Sequence, residues 1–120
     1  MERKYDLEER LIDFASEIIS FTDTLVSSKA GNHVGSQLLR SGTSPALNYG
    51  EAQSGESRRD FIHKIKIVLK ELRESRVALK IIAKSNLTTE NKRNEKLLDE
   101  CNQLISIFVK SIETAERNKN

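Results

Sequence analysis

The sequence has few residues that break helices or build covalent and aromatic sites. Its 120 residues include one proline, one cysteine and no tryptophan. One cysteine excludes an internal disulfide and any cysteine-rich zinc site. Four phenylalanines and two tyrosines are too few for a surface that reads single-stranded bases by stacking. No apolar run approaches the ~20 residues that a membrane-spanning helix needs. These absences favour a helical cytoplasmic protein without a membrane partner.

The charge is nearly balanced over the whole chain but unevenly distributed along it. The formal net charge is +2, with 32% charged and 37% hydrophobic residues. Residues 57–85 contain nine basic and three acidic residues, whereas residues 1–30 contain four basic and seven acidic ones. One segment therefore carries the positive excess, which points to an anionic partner for that segment.

Apolar residues recur at intervals of three and four in four segments, which is the spacing of one helical face. The pattern predicts helices over about 7–29, 33–53 and 57–85, and a fourth from just after Thr89 to about Arg117. Gly31 is interpreted as the residue that ends the first helix, and Pro45 predicts a kink or a break in the second. Because the connections are short, we predict one all-α domain over residues 1–120, an antiparallel up-down-up-down four-helix bundle.

Small residues are spaced four apart in the second helix, at Gly42, Ala46 and Gly50. In a helix they form a smooth stripe that allows another helix to approach closely, whereas the alternative is an irregular loop. A kinked helix is favoured because Leu47 and Tyr49, like other apolar residues nearby, need burial.

The third helix carries a row of cations on the side opposite its apolar seam. The outer positions are Arg59, His63, Lys66, Lys70, Arg73, Val77, Lys80 and Lys84. Six of these eight are permanent cations and none is acidic. A row that extends for more than about 30 Å can follow a phosphate backbone. The alternative is a solvated face whose cations snorkel or pair with acidic residues of the first helix.

Apolar residues also occur on a second side of the third helix, outside its core seam. Ile67 and Ile81 are fourteen residues apart there, with Val77 nearby. Together with the small stripe of the second helix, they suggest an interface between protomers. The alternative is scattered exposed hydrophobes, which are common on protein surfaces.

No metal or cofactor site is expected. A carboxylate-bridged metal bundle needs Glu-x-x-His on two helices, but Ala30 precedes His33 and Asp60 precedes His63. Cys101 lies on the apolar seam of the fourth helix, where it is interpreted as a small core residue.

One short pattern has a catalytic interpretation. Arg58-x-x-x-x-His63 resembles the motif of HEPN ribonucleases, in which His63 would act as the acid–base group and Arg58 would hold the phosphate. The match is short, and a histidine in a basic face needs no catalytic explanation. We therefore expect no enzymatic activity.

A more specific pattern extends from Gln37 to Ile82. Its first part, Gln37–Ser44, reads QLLRSGTS and is followed by Asn48, Gly50 and Glu51. Its second part, Ser57–Glu71, reads SRRDFIHKIKIVLKE and is followed by Glu74 and Leu79. This stretch resembles the four-helix-bundle family named after proteins encoded in 23S rRNA intervening sequences. The family's A-N-I-A-E-G block is replaced by LNYGEA here, so Tyr49 takes the place of a smaller apolar residue.

The resemblance implies a bundle that assembles as a ring-like homopentamer. It also implies a relation to the accessory protein of diversity-generating retroelements, a basic barrel that binds nucleic acid and associates with a reverse transcriptase. No enzymatic activity is established for the family. The polar residues of the family pattern, which we expect to fix helix or protomer contacts, are Arg40, Asn48, Glu51, Asp60, Glu71 and Glu74.

Three hypotheses follow. The first is a homo-oligomeric adaptor that binds RNA or DNA through the basic face of the third helix, alone or with a nucleic-acid-processing protein. The second is a protein-interaction module whose cations meet an acidic partner. The third is the ribonuclease.

Overall fold

The computed structural model describes residues 6–55 and 57–118. Within these ranges the chain forms four helices: α1 (Leu7–Thr22), α2 (Lys29–Gln53), α3 (Arg58–Lys84) and α4 (Asn91–Arg117). The described residues contain no strand. The all-α four-helix architecture predicted from the apolar spacing is therefore confirmed.

Two helices begin at short polar residues that cap their first turns. The Asp6 side chain accepts a hydrogen bond from the backbone N–H of Glu8 at 3.2 Å, at the start of α1. Ser57 Oγ accepts one from the backbone N–H of Asp60 at 3.1 Å, at the start of α3. Each cap satisfies a backbone donor that has no partner within the helix, so these short polar side chains fix the first turns.

The connection between α1 and α2 lies earlier in the chain than predicted. α1 ends seven residues sooner and α2 begins four residues sooner than the apolar spacing indicates. Ser28 caps α2 by accepting from the N–H of Gly31 at 3.0 Å. Gly31 therefore lies in the first turn of α2 and does not end α1. A Cβ at Gly31 would lie 1.9 Å from the carbonyl oxygen of Val26, so this close approach of backbone requires glycine.

α2 continues without a break through Pro45, although a break was one of the outcomes predicted there. Proline removes one backbone hydrogen bond, but Pro45 is fully buried in the bundle. Burial of the proline ring and packing of α2 against α1 and α3 outweigh the lost hydrogen bond, because tertiary packing supplies most of the stability of a helix in a protein.

Neighbouring helices in the chain are antiparallel and pack side by side, and α4 returns to contact α1. A Cβ at Gly42 would meet Ile18, and one at Gly50 would meet Glu8, so α2 runs against α1 in the opposite direction. α4 opposes α3 in the same way, because Asn94 bonds the Leu79 carbonyl and Cys101 bonds the Leu72 carbonyl. These contacts establish the predicted up-down-up-down order.

The stripe of small residues on α2 packs against another helix of the same chain. A Cβ at Gly42 would lie 2.8 Å from two carbons of Ile18, which is closer than packed side chains approach. Ala46 is partly buried against the core, and Gly50 faces Glu8. The helix that approaches this stripe is α1 of the same chain, so the stripe is accounted for without a second protomer.

The core contains the expected apolar seams, with one exception. Leu38 is fully buried, and Tyr49 is partly buried. The ring of Tyr49 meets that of Phe108 edge-on across the bundle, with centroids 5.6 Å apart, a favoured aromatic geometry. Burial raises the pKa of the Tyr49 hydroxyl. Leu47 was expected to be buried but is 70% exposed, because it lies on the outer side of α2.

The two loops at one end of the bundle are joined through the backbone. The N–H of Val26, between α1 and α2, donates to the carbonyl oxygen of Leu87, between α3 and α4, at 2.9 Å. This bond connects the two helical hairpins at that end.

Cys101 is expected to resist alkylation in the folded protein. Burial raises the pKa of its thiol to about 12, and the thiol donates to the carbonyl oxygen of Leu72 at 3.2 Å. Iodoacetamide reacts with the thiolate, so at pH 8 mass spectrometry should find the native protein unlabelled and the urea-denatured protein labelled. Rapid labelling without denaturant would show that this region opens readily.

Candidate nucleic-acid interface

The cations predicted on the outer side of α3 form one exposed row, which we call the α3 stripe. Its members, all exposed to solvent, are Arg59, His63, Lys66, Lys70, Arg73, Lys80 and Lys84. The row covers about 38 Å of the helix axis. It is held straight because α3 packs between α2 and α4 through its opposite side.

Among the described residues, one ion pair involves a cation of the α3 stripe. Lys66 pairs with Glu116 of α4, with 2.8 Å between Nζ and Oε2. Within residues 6–55 and 57–118, no ion pair reaches the other five permanent cations of the stripe. The expectation that this flank stays open to water is therefore confirmed at those positions. Pairing with acidic residues of α1, one form of the alternative, does not occur among the described residues, because α1 and α3 are diagonal in the bundle. The other form, a solvated face whose cations snorkel, agrees with the same exposure.

Polar residues of the family pattern connect α2 to α3. Arg40 donates to Glu71 at 2.9 Å and to Glu74 at 2.5 Å. The hydrogen bonds to Glu74 and Glu71 raise the pKa of Arg40. Because Glu71 is buried except for 7% of its surface, its charge needs this partner. These residues therefore fix a helix contact within the chain, which is one of the two roles expected of them.

The remaining residues of that pattern have more local roles. Glu51 accepts from Lys64 of α3 at 2.5 Å. Asn48 bonds the Ser44 hydroxyl at 2.8 Å and the Ser44 carbonyl at 3.1 Å, within α2. Asp60 is exposed in the first turn of α3, where its charge complements the positive end of the helix dipole.

A groove that sequence reasoning did not identify lies between α2 and α3. Its volume is about 660 Å³. Its lining includes His33, Val34, Gln37, Arg40, Lys70, Arg73, Val77, Ala78 and Ile81. Val77 and Ile81 are 54% and 43% exposed, as the second apolar side of α3 predicts, whereas Ile67 is only partly exposed. Only the pairing of α2 with α3 brings these residues together, so no signal within one helix could reveal the groove.

The two residues of the ribonuclease-like pattern lie on different sides of α3. His63 belongs to the outward α3 stripe, whereas Arg58 lines a separate depression shared with Phe61 and Lys110 of α4. Five residues of helix rotate two side chains about 140° apart. The fold therefore does not bring Arg58 and His63 of one chain together around a phosphate.

The described part of the chain contains no group of three His, Cys, Asp or Glu side chains arranged to hold a metal ion. Among its four helices, none has the length and hydropathy to cross a bilayer.

Fold and surface together define a class of protein: an antiparallel four-helix bundle whose third helix presents an open row of cations. The family pattern lies at the contact between α2 and α3, where Arg40 meets two carboxylates. A sequence profile of the 23S rRNA-intervening sequence protein family matches residues 3–110. The chain belongs to this family.

A solved structure supports the assignment. The chain is similar to a protein of unknown function from the S23 ribosomal protein family of Bacteroides thetaiotaomicron, with a TM-score of 0.81 and 28% sequence identity. The similarity covers 89% of this chain and 98% of the other. No curated protein matches the chain in sequence.

Proposed function

We propose that this protein is a non-enzymatic, homo-oligomeric adaptor that binds the phosphate backbone of RNA or DNA through the α3 stripe. The observation that carries the proposal is the row of exposed cations along one straight helix, of which only Lys66 has a described carboxylate partner. A duplex carries one negative charge per about 1.7 Å of its axis, so a row of this length faces many phosphates.

The composition of the stripe supports binding without sequence specificity. Lysine and arginine heads bind phosphates, whereas reading of sequence requires contacts to base edges. Apart from His63, the stripe contains no aromatic side chain, and it contains no asparagine or glutamine. The adaptor would therefore hold nucleic acid by charge, and any choice of sequence would have to come from a partner.

Self-association would strengthen such binding. One stripe with six permanent cations binds weakly at physiological salt, but several stripes in one particle add their contacts. The family resemblance implies a pentamer, and we propose the same assembly here.

The separation of Arg58 from His63 favours a binding role over RNA cleavage.

The salt dependence of binding tests this proposal. Fluorescence anisotropy should give a plot of log affinity against log salt with a slope of about −5 per stripe for a DNA duplex, if about six phosphates are neutralised. The slope should be the same for duplexes of unrelated sequence and shallower for single-stranded RNA, because single strands release fewer counterions.

Two results would contradict the proposal. One is the absence of binding at low salt to both RNA and DNA. The other is binding that hardly changes with salt. Capture of an acidic protein in a sample that is free of nucleic acid, together with either result, would favour the protein-interaction alternative.

A further inference from the structure

The groove between α2 and α3 combines an apolar floor with a cationic rim. Val34, Val77, Ala78 and Ile81 are its apolar lining residues. Lys70 and Arg73 line its outer side and are exposed, whereas Glu74, which also lines the groove, is paired with Arg40. A contiguous apolar surface bordered by charge is typical of an interaction site, and the sign of this border selects an acidic partner.

The outer face of α1 has the opposite charge and its own apolar ridge. Ile12 and Ile19 are two turns apart and 44% and 49% exposed. Glu9 and Asp23 are exposed and fall on the same face, because these positions repeat at intervals of three and four. Residues 6–28 contain six acidic residues and one basic residue, and that basic residue pairs with α4.

We infer that the α1 face of one copy of this chain docks into the α2–α3 groove of another copy. Ile12 and Ile19 are about 10.5 Å apart along their helix, and the stretch of α3 that lines the groove, Lys70 to Ile81, extends about 16.5 Å. Because Val77 and Ile81 are only about 6 Å apart along α3, Ile19 would pack on these two residues, Ile12 would lie along the stem of Arg73, and Glu9 would reach Lys70. This inference specifies the self-association that the proposed function includes.

A second copy fits the groove because the chain itself carries both complementary surfaces. The acidic ridge is on α1 and the groove lies between α2 and α3, so each copy can donate one surface and accept the other. The contact joins unlike surfaces and is heterologous, which closes into a ring when the rotation between copies allows it.

The docking surface and the α3 stripe overlap only in part. Lys70 and Arg73 belong to both, whereas Arg59, Lys80 and Lys84 do not line the groove. Assembly would leave cations free at both ends of the stripe. Self-association and binding of nucleic acid can therefore be tested with different substitutions.

Mixing two variants tests the docking contact. The ridge variant carries Ile12→Lys and Ile19→Lys, and the groove variant carries Val77→Lys and Ile81→Lys. All four side chains are substantially exposed, so both variants should fold. Light scattering without nucleic acid should give the wild type a mass well above the 13.6 kDa of one chain. Each variant alone should have the mass of one chain. Their mixture should give a 1:1 pair, because one intact ridge meets one intact groove.

Controls separate this contact from other causes. Leu47→Lys changes an exposed apolar residue outside both surfaces and should keep the wild-type mass, and circular dichroism should show equal helix content in all variants. A monomeric wild type at micromolar concentration would overturn the inference. It would also be overturned by either double variant keeping the wild-type mass, or by a mixture of folded variants that stays monomeric. None of these masses depends on nucleic acid, so failure of the phosphate-binding proposal would leave them unchanged.

Discussion

Changing Arg59, Lys80 and Lys84 to glutamate is expected to weaken binding to a labelled DNA duplex about 100-fold at physiological salt. Each exposed ionic contact is worth roughly 0.2–1 kcal/mol, and the reversed charge adds repulsion of the phosphates. The slope of log affinity against log salt should become shallower by about one for each cation removed. Fluorescence anisotropy measures both quantities on the same samples.

A matched variant shows whether the position of the charges matters. Lys92, Lys96 and Lys110 are exposed on α4, and their change to glutamate lowers the net charge from +2 to −4, as the α3 variant does. Binding by the α4 variant should stay within a few-fold of the wild type. Equal loss in both variants would show that net charge governs binding, and the α3 stripe would have no special role.

Replacing Phe108 by alanine is expected to lower the free energy of unfolding by about 3–5 kcal/mol. Phe108 is fully buried and its ring contacts Tyr49 edge-on. A domain of this size is stable by only about 5–15 kcal/mol, so the variant should be close to unfolding at 37 °C. Urea denaturation followed by circular dichroism measures the loss.

Two further variants show what Phe108 contributes. Phe108→Leu keeps an apolar side chain, so the change in packing should lower the free energy of unfolding by less than about 1.5 kcal/mol. Loss of the aromatic contact with Tyr49 should lower it further, by about 0.5–1.5 kcal/mol. Leu47→Ala, at an exposed position, should change the stability by less than about 0.5 kcal/mol. A small loss for Phe108→Ala would mean that the core closes around the vacant space.

The sequence predicts the helices of this protein better than it predicts their ends. The spacing of apolar residues identifies four helical faces, because each helix is apolar on the side that it buries. The end of α1 depends on a different contact, the approach of the Val26 carbonyl to Gly31. A glycine that ends a helix and a glycine that admits backbone from a neighbouring loop look alike in a sequence.

For the candidate site, too, the sequence predicts the exposed surface but not the contacts between individual residues. Helical spacing alone places the α3 stripe on the solvent side, since α3 buries its opposite face. The partners of individual residues could not be predicted in this way. Glu116, which pairs with Lys66, is fifty residues further along the chain. Glu71 and Glu74 belong to the family pattern, but only the packing of α2 on α3 shows that Arg40 binds both. The groove between these helices likewise needs both partners in place.

The backbone bond between Val26 and Leu87 makes the two ends of the bundle unequal. It connects the α1–α2 hairpin to the α3–α4 hairpin, so neither loop can swing away alone. At the other end the α2–α3 connection joins the hairpins through the chain itself, but among the described residues no backbone hydrogen bond ties the first turn of α1 or the last turn of α4 to another helix. Transient openings should begin at these two helix ends, and amide protons there should exchange with solvent sooner than those near the Val26–Leu87 bond.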